Sequence, residues 1–123
     1  MKKTNQLLSI GFESSSGLTE EFKQFYSTFR SEFKKELKTI GATDIVFSRG
    51  HFYVSGFFTV NNQAMYFSLS DVRSFIYSKV QDPYSCMHKL LYRTAQNYKD
   101  YSGGANQYVS IESGMCSKMN LKL

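Results

Sequence analysis

The stretch HFYVSGFFTVNNQAMYFSLS, His51 to Ser70, decides the fold class. It is rich in β-branched and aromatic residues and alternates with a period of two, the mark of extended strands with one buried face. Phe52, Val54, Phe58 and Val60 share one face of the run His51 to Val60, and Met65, Phe67 and Leu69 share one face of Ala64 to Ser70. Between them Asn61-Asn62-Gln63 reads as a tight loop, because Asn tolerates the left-handed backbone that short hairpins need. Upstream, Asp44 to Arg49 gives another strand, joined through a short Arg49-Gly50 connection. The three runs predict an antiparallel meander.

Before the strands the period changes to 3.6. Phe22, Phe25, Tyr26, Phe29, Phe33, Leu37 and Ile40 recur at spacings of three and four, which predicts an amphipathic helix. Thr19 suits its N-cap and Glu20 and Glu21 its first turn. Lys34, Lys35 and Lys38 suit its C-terminal half, with Gly41 as the stop. The Phe stripe then packs on the strand faces. Residues 1–17 read as a polar opening segment ending in Ser14-Ser15-Ser16-Gly17.

After the strands, Val72, Phe75, Ile76 and Val80 fit a short helix capped by Ser70 or an irregular strand continuation. From Asp82 and Pro83, Met87, Leu90, Leu91, Ala95, Tyr98 and Tyr101 line one side of a second long helix stopped by Gly103-Gly104. The competing reading is a strand from Lys89 to Thr94 followed by a loop, with Leu90, Tyr92 and Thr94 opposite Leu91, Arg93 and Ala95. Gln107 to Glu112 suggests a last short strand, and Ser113 to Leu123 a polar tail that docks or stays mobile. The sequence thus predicts one α+β domain over 1–123: a long N-terminal helix, a three-stranded antiparallel meander and a C-terminal helix packed on the sheet.

The chain has 123 residues, within the usual range of one domain, so separate cofactor and substrate lobes are excluded. Eleven Phe and nine Tyr in a 41% hydrophobic chain supply a core and argue against disorder. The formal net charge is +5, divided as +2 over residues 1–41 and +3 over the remainder, so the excess is diffuse. It favours an anionic partner without a histone-like tract. Leu7-Leu8-Ser9-Ile10 is shorter than the roughly 7–15 apolar residues of a signal-peptide core. Without a membrane span either, the expectation is a soluble cytoplasmic protein with Cys86 and Cys116 as free thiols.

Catalytic patterns are sparse. Cys86 and His88 are two apart, while Cys116 and His51 are scattered, unlike the paired spacing of a zinc site. No cofactor is implied. His51 and His88 offer an acid/base pair for metal-free RNA cleavage, with Lys89 or Arg93 stabilising the phosphorane. Ser102-Gly103-Gly104-Ala105-Asn106 follows the predicted helix, where the dipole has the wrong sign for a phosphate cradle.

Binding patterns are richer. Tyr53, Phe57 and Tyr66 lie on the sheet face opposite the core, flanked by Arg49 and Arg73, an arrangement suited to stacking bases and holding phosphates. The second helix can instead cover those aromatics through Met87, Leu91 and Tyr98. Arg30, Lys34 and Lys38 fall in one line along the first helix. The α-β-β-β-α order is similar in topology to the double-stranded-RNA-binding fold, although Asp82-Pro83-Tyr84-Ser85 stands where that fold carries basic residues.

The phrases His51-Phe52-Tyr53-Val54-Ser55-Gly56 and Tyr66-Phe67-Ser68-Leu69-Ser70-Asp71-Val72-Arg73 resemble those of small bacteriophage and mobile-element proteins. So do Leu91-Tyr92-Arg93-Thr94-Ala95 and Lys99-Asp100-Tyr101-Ser102-Gly103-Gly104. Some proteins of that origin are anti-CRISPR proteins, including inhibitors of type VI RNA-guided RNA nucleases. The resemblance implies a non-enzymatic inhibitor that binds a host CRISPR effector nucleoprotein or its guide RNA, with no membrane and no small-molecule substrate. Arg93, Lys99 and Tyr101 then join the sheet-face and helix residues as binding candidates. The alternatives are a small RNA- or DNA-binding module using the aromatic sheet face, and the two-histidine ribonuclease.

Overall fold

The computed structural model describes residues 4, 20–49, 54–69, 89–111 and 113–121. Helix α1 (Glu20–Thr39) buries Phe25, Phe29, Phe33 and Leu37 completely. Spaced by four, these side chains stack along one line: centroids are 5.9 Å apart for Phe25 and Phe29, and 5.2 Å for Phe29 and Phe33. Each buried Phe contributes about 2–3 kcal/mol of hydrophobic stabilisation.

The helix ends as its sequence predicts. The Gly41 N–H donates to the Lys38 carbonyl at 3.1 Å, and the Ala42 N–H to the Leu37 carbonyl at 3.1 Å. This is a Schellman closure, which needs a left-handed residue at the turn, and Gly41 has φ 82°.

Beyond the turn run five strands: β1 (Thr43–Arg49), β2 (Val54–Val60), β3 (Gln63–Leu69), β4 (Lys89–Thr94) and β5 (Gln107–Ser110). They form one sheet in the order β1-β2-β3-β4-β5, every neighbouring pair antiparallel. The expected three-stranded meander is therefore extended by two strands. Asn61 and Asn62, at φ 49° and 66°, make the two-residue turn between β2 and β3. Arg49 pairs with Val54, and Gly50 of the predicted Arg49-Gly50 connection lies outside the described residues.

The second long helix predicted from Asp82 is corrected over Lys89 to Tyr101: β4 and a loop stand there, as in the competing reading. Leu90 and Tyr92 enter the core while Arg93 is buried on the opposite face. A strand covered on both sides shows no clean alternation, and its Leu90-Leu91-Tyr92 run imitates a helical stripe. Gly103-Gly104 accordingly lies in the β4–β5 connection and stops no helix. The predicted short helix at Val72 to Val80, the Asp82-Pro83 cap, His51, Phe52, Tyr53 and His88 lie outside the described residues.

The polar tail docks. Met115, Cys116 and Met119, on and after the short helix α2 (Met115–Lys118), join the core formed by α1 and the inner sheet face. The Glu36 carboxylate on α1 accepts the Gly114 N–H at 2.8 and 3.0 Å. The Asn120 N–H donates to the Tyr92 hydroxyl at 2.6 Å.

One glycine has a steric reason. Gly56 stands between Phe47 and Phe67 in the register, and a Cβ there would lie 1.9 Å from the Val46 carbonyl oxygen and 2.8 Å from the Phe67 ring. The absent side chain lets the Phe47 and Phe67 rings meet edge to face at 5.3 Å above it. Among the described residues, no helix is long and apolar enough to cross a membrane.

Candidate interaction face on the outer sheet surface

With α1 on the inner face, strand alternation turns a second set of residues outward. Register places Val46, Phe57, Tyr66 and Arg93 in one row across β1 to β4. Ser48, Ser55, Ser68, Leu91 and Tyr108 form the next row across all five strands. Side chains sharing a row are direct cross-strand neighbours.

The loop after β4 folds back over the first row. Tyr98 stacks on Phe57, with centroids 5.4 Å apart and planes at 14°, and its hydroxyl bonds the Thr59 hydroxyl at 2.6 Å. Tyr101 meets Phe57 edge-on at 5.4 Å and Tyr66 at 5.9 Å. Phe57 is left only 2% exposed, although it is not part of the main core. The outer face thus has its own aromatic cluster.

Arg93 fastens this cluster. Its guanidinium lies 4.4 Å from the centre of the Tyr66 ring, a cation–π contact. It donates to the Asp100 carbonyl at 2.7 Å and the Thr94 carbonyl at 3.2 Å. The Asp100 carboxylate stands 3.8 Å away. A charge only 3% exposed needs such partners, and no buried side-chain polar atom among the described residues lacks one.

Asp100 in turn shapes the loop. One carboxylate oxygen accepts the Ser102 hydroxyl at 2.5 Å and the Ser102 N–H at 3.2 Å, and the other accepts the Gln96 N–H at 2.9 Å. The Asn97 side chain likewise accepts the Lys99 N–H at 2.8 Å. The loop is therefore built from two successive Asx turns. The Ser102 hydroxyl, then the Gln96 and Ser102 amides, with a smaller pull from Arg93, hold the Asp100 carboxyl down at about 2.

The structure brings four sequence candidates together here: Phe57, Tyr66, Arg93 and Tyr101. Lys99 is exposed on the same loop. Arg93 and Phe57 lie beneath the surface, so a base stacking on Phe57 would have to displace Tyr98. Arg30, Lys34 and Lys38 are exposed on α1, in the other layer. Arg49 pairs with Val54, outside the row that holds Phe57, and its side chain lies outside the described residues, as do Tyr53 and Arg73. The expectation that a helix covers the aromatics is replaced by cover from a loop.

Sequence reasoning missed Thr59, Asp100, Val46 and Tyr108 as parts of this face. The signal for Asp100 was present in Asp100-Tyr101-Ser102-Gly103, an Asx-turn pattern. Val46 and Tyr108 required the sheet register.

Three large side chains stand out of the surface among the described residues: Tyr101, Tyr108 and Val46, at 64%, 59% and 46% exposure. All three belong to the outer face, Tyr101 at the cluster and the others on its flanks. Among the described residues there is no group of three His, Cys, Asp or Glu side chains placed to hold a metal ion. No protein-family model, curated protein or solved structure matches the chain.

Proposed function

We propose that this protein is a non-enzymatic inhibitor of phage or mobile-element origin that docks on a host CRISPR effector nucleoprotein through its outer sheet face. The observation that carries the binding reading is the exposed Tyr101 ring held over a cluster locked by Arg93 and Asp100, with Val46 and Tyr108 exposed at the two edges of the same face. Tyrosine is enriched among the residues that carry interface energy, and one held in place by its loop loses little entropy on docking. Tyr101 is the central anchor, and exposed Lys89 and Lys99 form a polar rim. The choice of an RNA-guided effector rests on the resemblance of the sequence phrases.

The test is co-purification with a panel of type VI effectors, with and without guide RNA, followed by target-RNA cleavage. A stable complex and protected target support the proposal. Absence of both across the panel refutes the effector assignment. An RNA-binding module acting through the same face is the second reading, favoured by the exposed Tyr101 ring beside Lys99.

A further inference from the structure

Helix α1 separates its charges. At 100° per residue, Arg30, Lys34 and Lys38 fall within about 80° of one another, whereas Glu32 and Glu36 lie about 120–160° round the axis from each of them. Both carboxylates face other parts of the chain. Glu32 accepts the Thr4 N–H and hydroxyl, each at 2.7 Å, and Glu36 accepts the Gly114 N–H. Neither is turned toward the basic line.

Arg30, Lys34 and Lys38 are all exposed. Like charges four residues apart repel, so the Arg30–Lys34 and Lys34–Lys38 pairs cost the isolated helix stability. Lys38 offsets part of that by lying in the last turn, near the negative dipole end. Arg30 has its guanidinium 5.7 Å from the centre of the Phe47 ring, which anchors the row beside β1. The cations advance about 6 Å along the axis per step, close to the spacing of neighbouring phosphates in an RNA strand.

We infer that Arg30, Lys34 and Lys38 form a phosphate-tracking ridge that binds the backbone of a single RNA strand without reading its sequence. The ridge lies on the helix layer, opposite the outer sheet face, so one molecule can hold a protein surface and an RNA strand at once. The inference does not depend on the identity of the protein partner. Affinity comes from neutralised phosphates and released counterions.

The experiment measures binding of fluorescein-labelled oligouridylate by anisotropy across a salt series. The wild-type protein binds at low salt, and log K falls linearly with log salt. The triple variant Arg30→Gln/Lys34→Gln/Lys38→Gln, which retains helix-favouring residues, loses affinity and flattens the slope by about 2. Arg30→Lys/Lys34→Arg/Lys38→Arg keeps the slope, and Lys35→Gln, exposed on the same helix but off the line, leaves both slope and affinity nearly unchanged. Circular dichroism checks the fold of each variant.

No binding at low salt, an unchanged slope in the triple variant, or an equal loss of RNA binding in Lys35→Gln overturns the ridge. Equal competition by polyglutamate assigns it to acidic protein and overturns the RNA reading. None of these outcomes touches the effector co-purification, so failure of one proposal is distinguishable from failure of the other.

Discussion

The guanidinium of Arg93 and the backbone carbonyl of Asp100 are joined by a 2.7 Å hydrogen bond that spans the sheet and the loop folded over it. Through this bond the position of Tyr101, next in sequence to Asp100, is set by a strand residue. The exposed tyrosine is pre-organised, which lowers the entropy lost on docking.

Replacing Arg93 therefore frees the loop. Arg93→Lys keeps the charge but lacks the planar fork that reaches two carbonyls and covers the Tyr66 ring. Hydrogen exchange at Gln96 to Ser102 accelerates in Arg93→Lys and Arg93→Ala, while exchange in α1 changes little. Equal acceleration in both elements would mean that Arg93 supports the whole fold and not the loop.

The same loop carries an acid sensitivity. The folded pKa of Asp100, about 2, lies below the ordinary 3.8, so its ionisation contributes stability that is fully present above the unfolded value. That contribution falls away as pH drops from about 4 toward 2. Thermal unfolding of Asp100→Asn lacks this component, so its Tm declines less steeply than wild type over that interval. Parallel Tm profiles would show that the carboxylate makes no such contribution.

Cys116 behaves in the opposite sense. Burial, and secondarily the Glu36 carboxylate, push its thiol up to about 12 from the ordinary 9.0. The folded chain holds its proton where the unfolded chain releases it, so this contribution is present below pH 9 and is lost as pH rises toward 12. Alkylation by iodoacetamide at pH 8 is slow for native Cys116 and fast after denaturation. Rapid labelling of the folded protein, mapped to Cys116 by mass spectrometry, would contradict its burial.

The aromatic core gives a calibrated pair. Phe33→Ala removes a fully buried ring that meets Phe29, Phe47 and Phe67, and lowers unfolding free energy by about 3–5 kcal/mol. Gly56→Ala adds a carbon in the path of the Val46 carbonyl and lowers it by about 3 kcal/mol through overpacking. Urea denaturation measures both. A Gly56→Ala protein as stable as wild type would show that β1 and β2 separate there at no cost.

Elements governed by one period were legible in the sequence. The Phe25-Phe29-Phe33-Leu37 line announced α1, and alternation through Val54 to Leu69 announced the β2–β3 hairpin. At Lys89 to Thr94 the signal is ambiguous, because apolar Leu91 stands between Lys89 and Arg93 on the outer face and makes Leu90-Leu91-Tyr92 a continuous apolar run. The site divided in the same manner. Phe57 and Tyr66 follow from strand alternation and Arg93 and Tyr101 from the resembling phrases, but their grouping depends on the Tyr66–Arg93 register and on Asx turns that bring distant residues together. Tyr98 reads from sequence as part of a helix stripe, since its spacing from Leu91 and Ala95 fits a helix as well as it fits a returning loop.

The docking face is tested most directly by surface plasmon resonance of wild type and Tyr101→Ala against the effector nucleoprotein recovered by co-purification. Loss of a central tyrosine anchor costs about 2 kcal/mol, so the account predicts roughly 30-fold weaker binding with the Tm nearly unchanged. Equal affinity of the two proteins would contradict it.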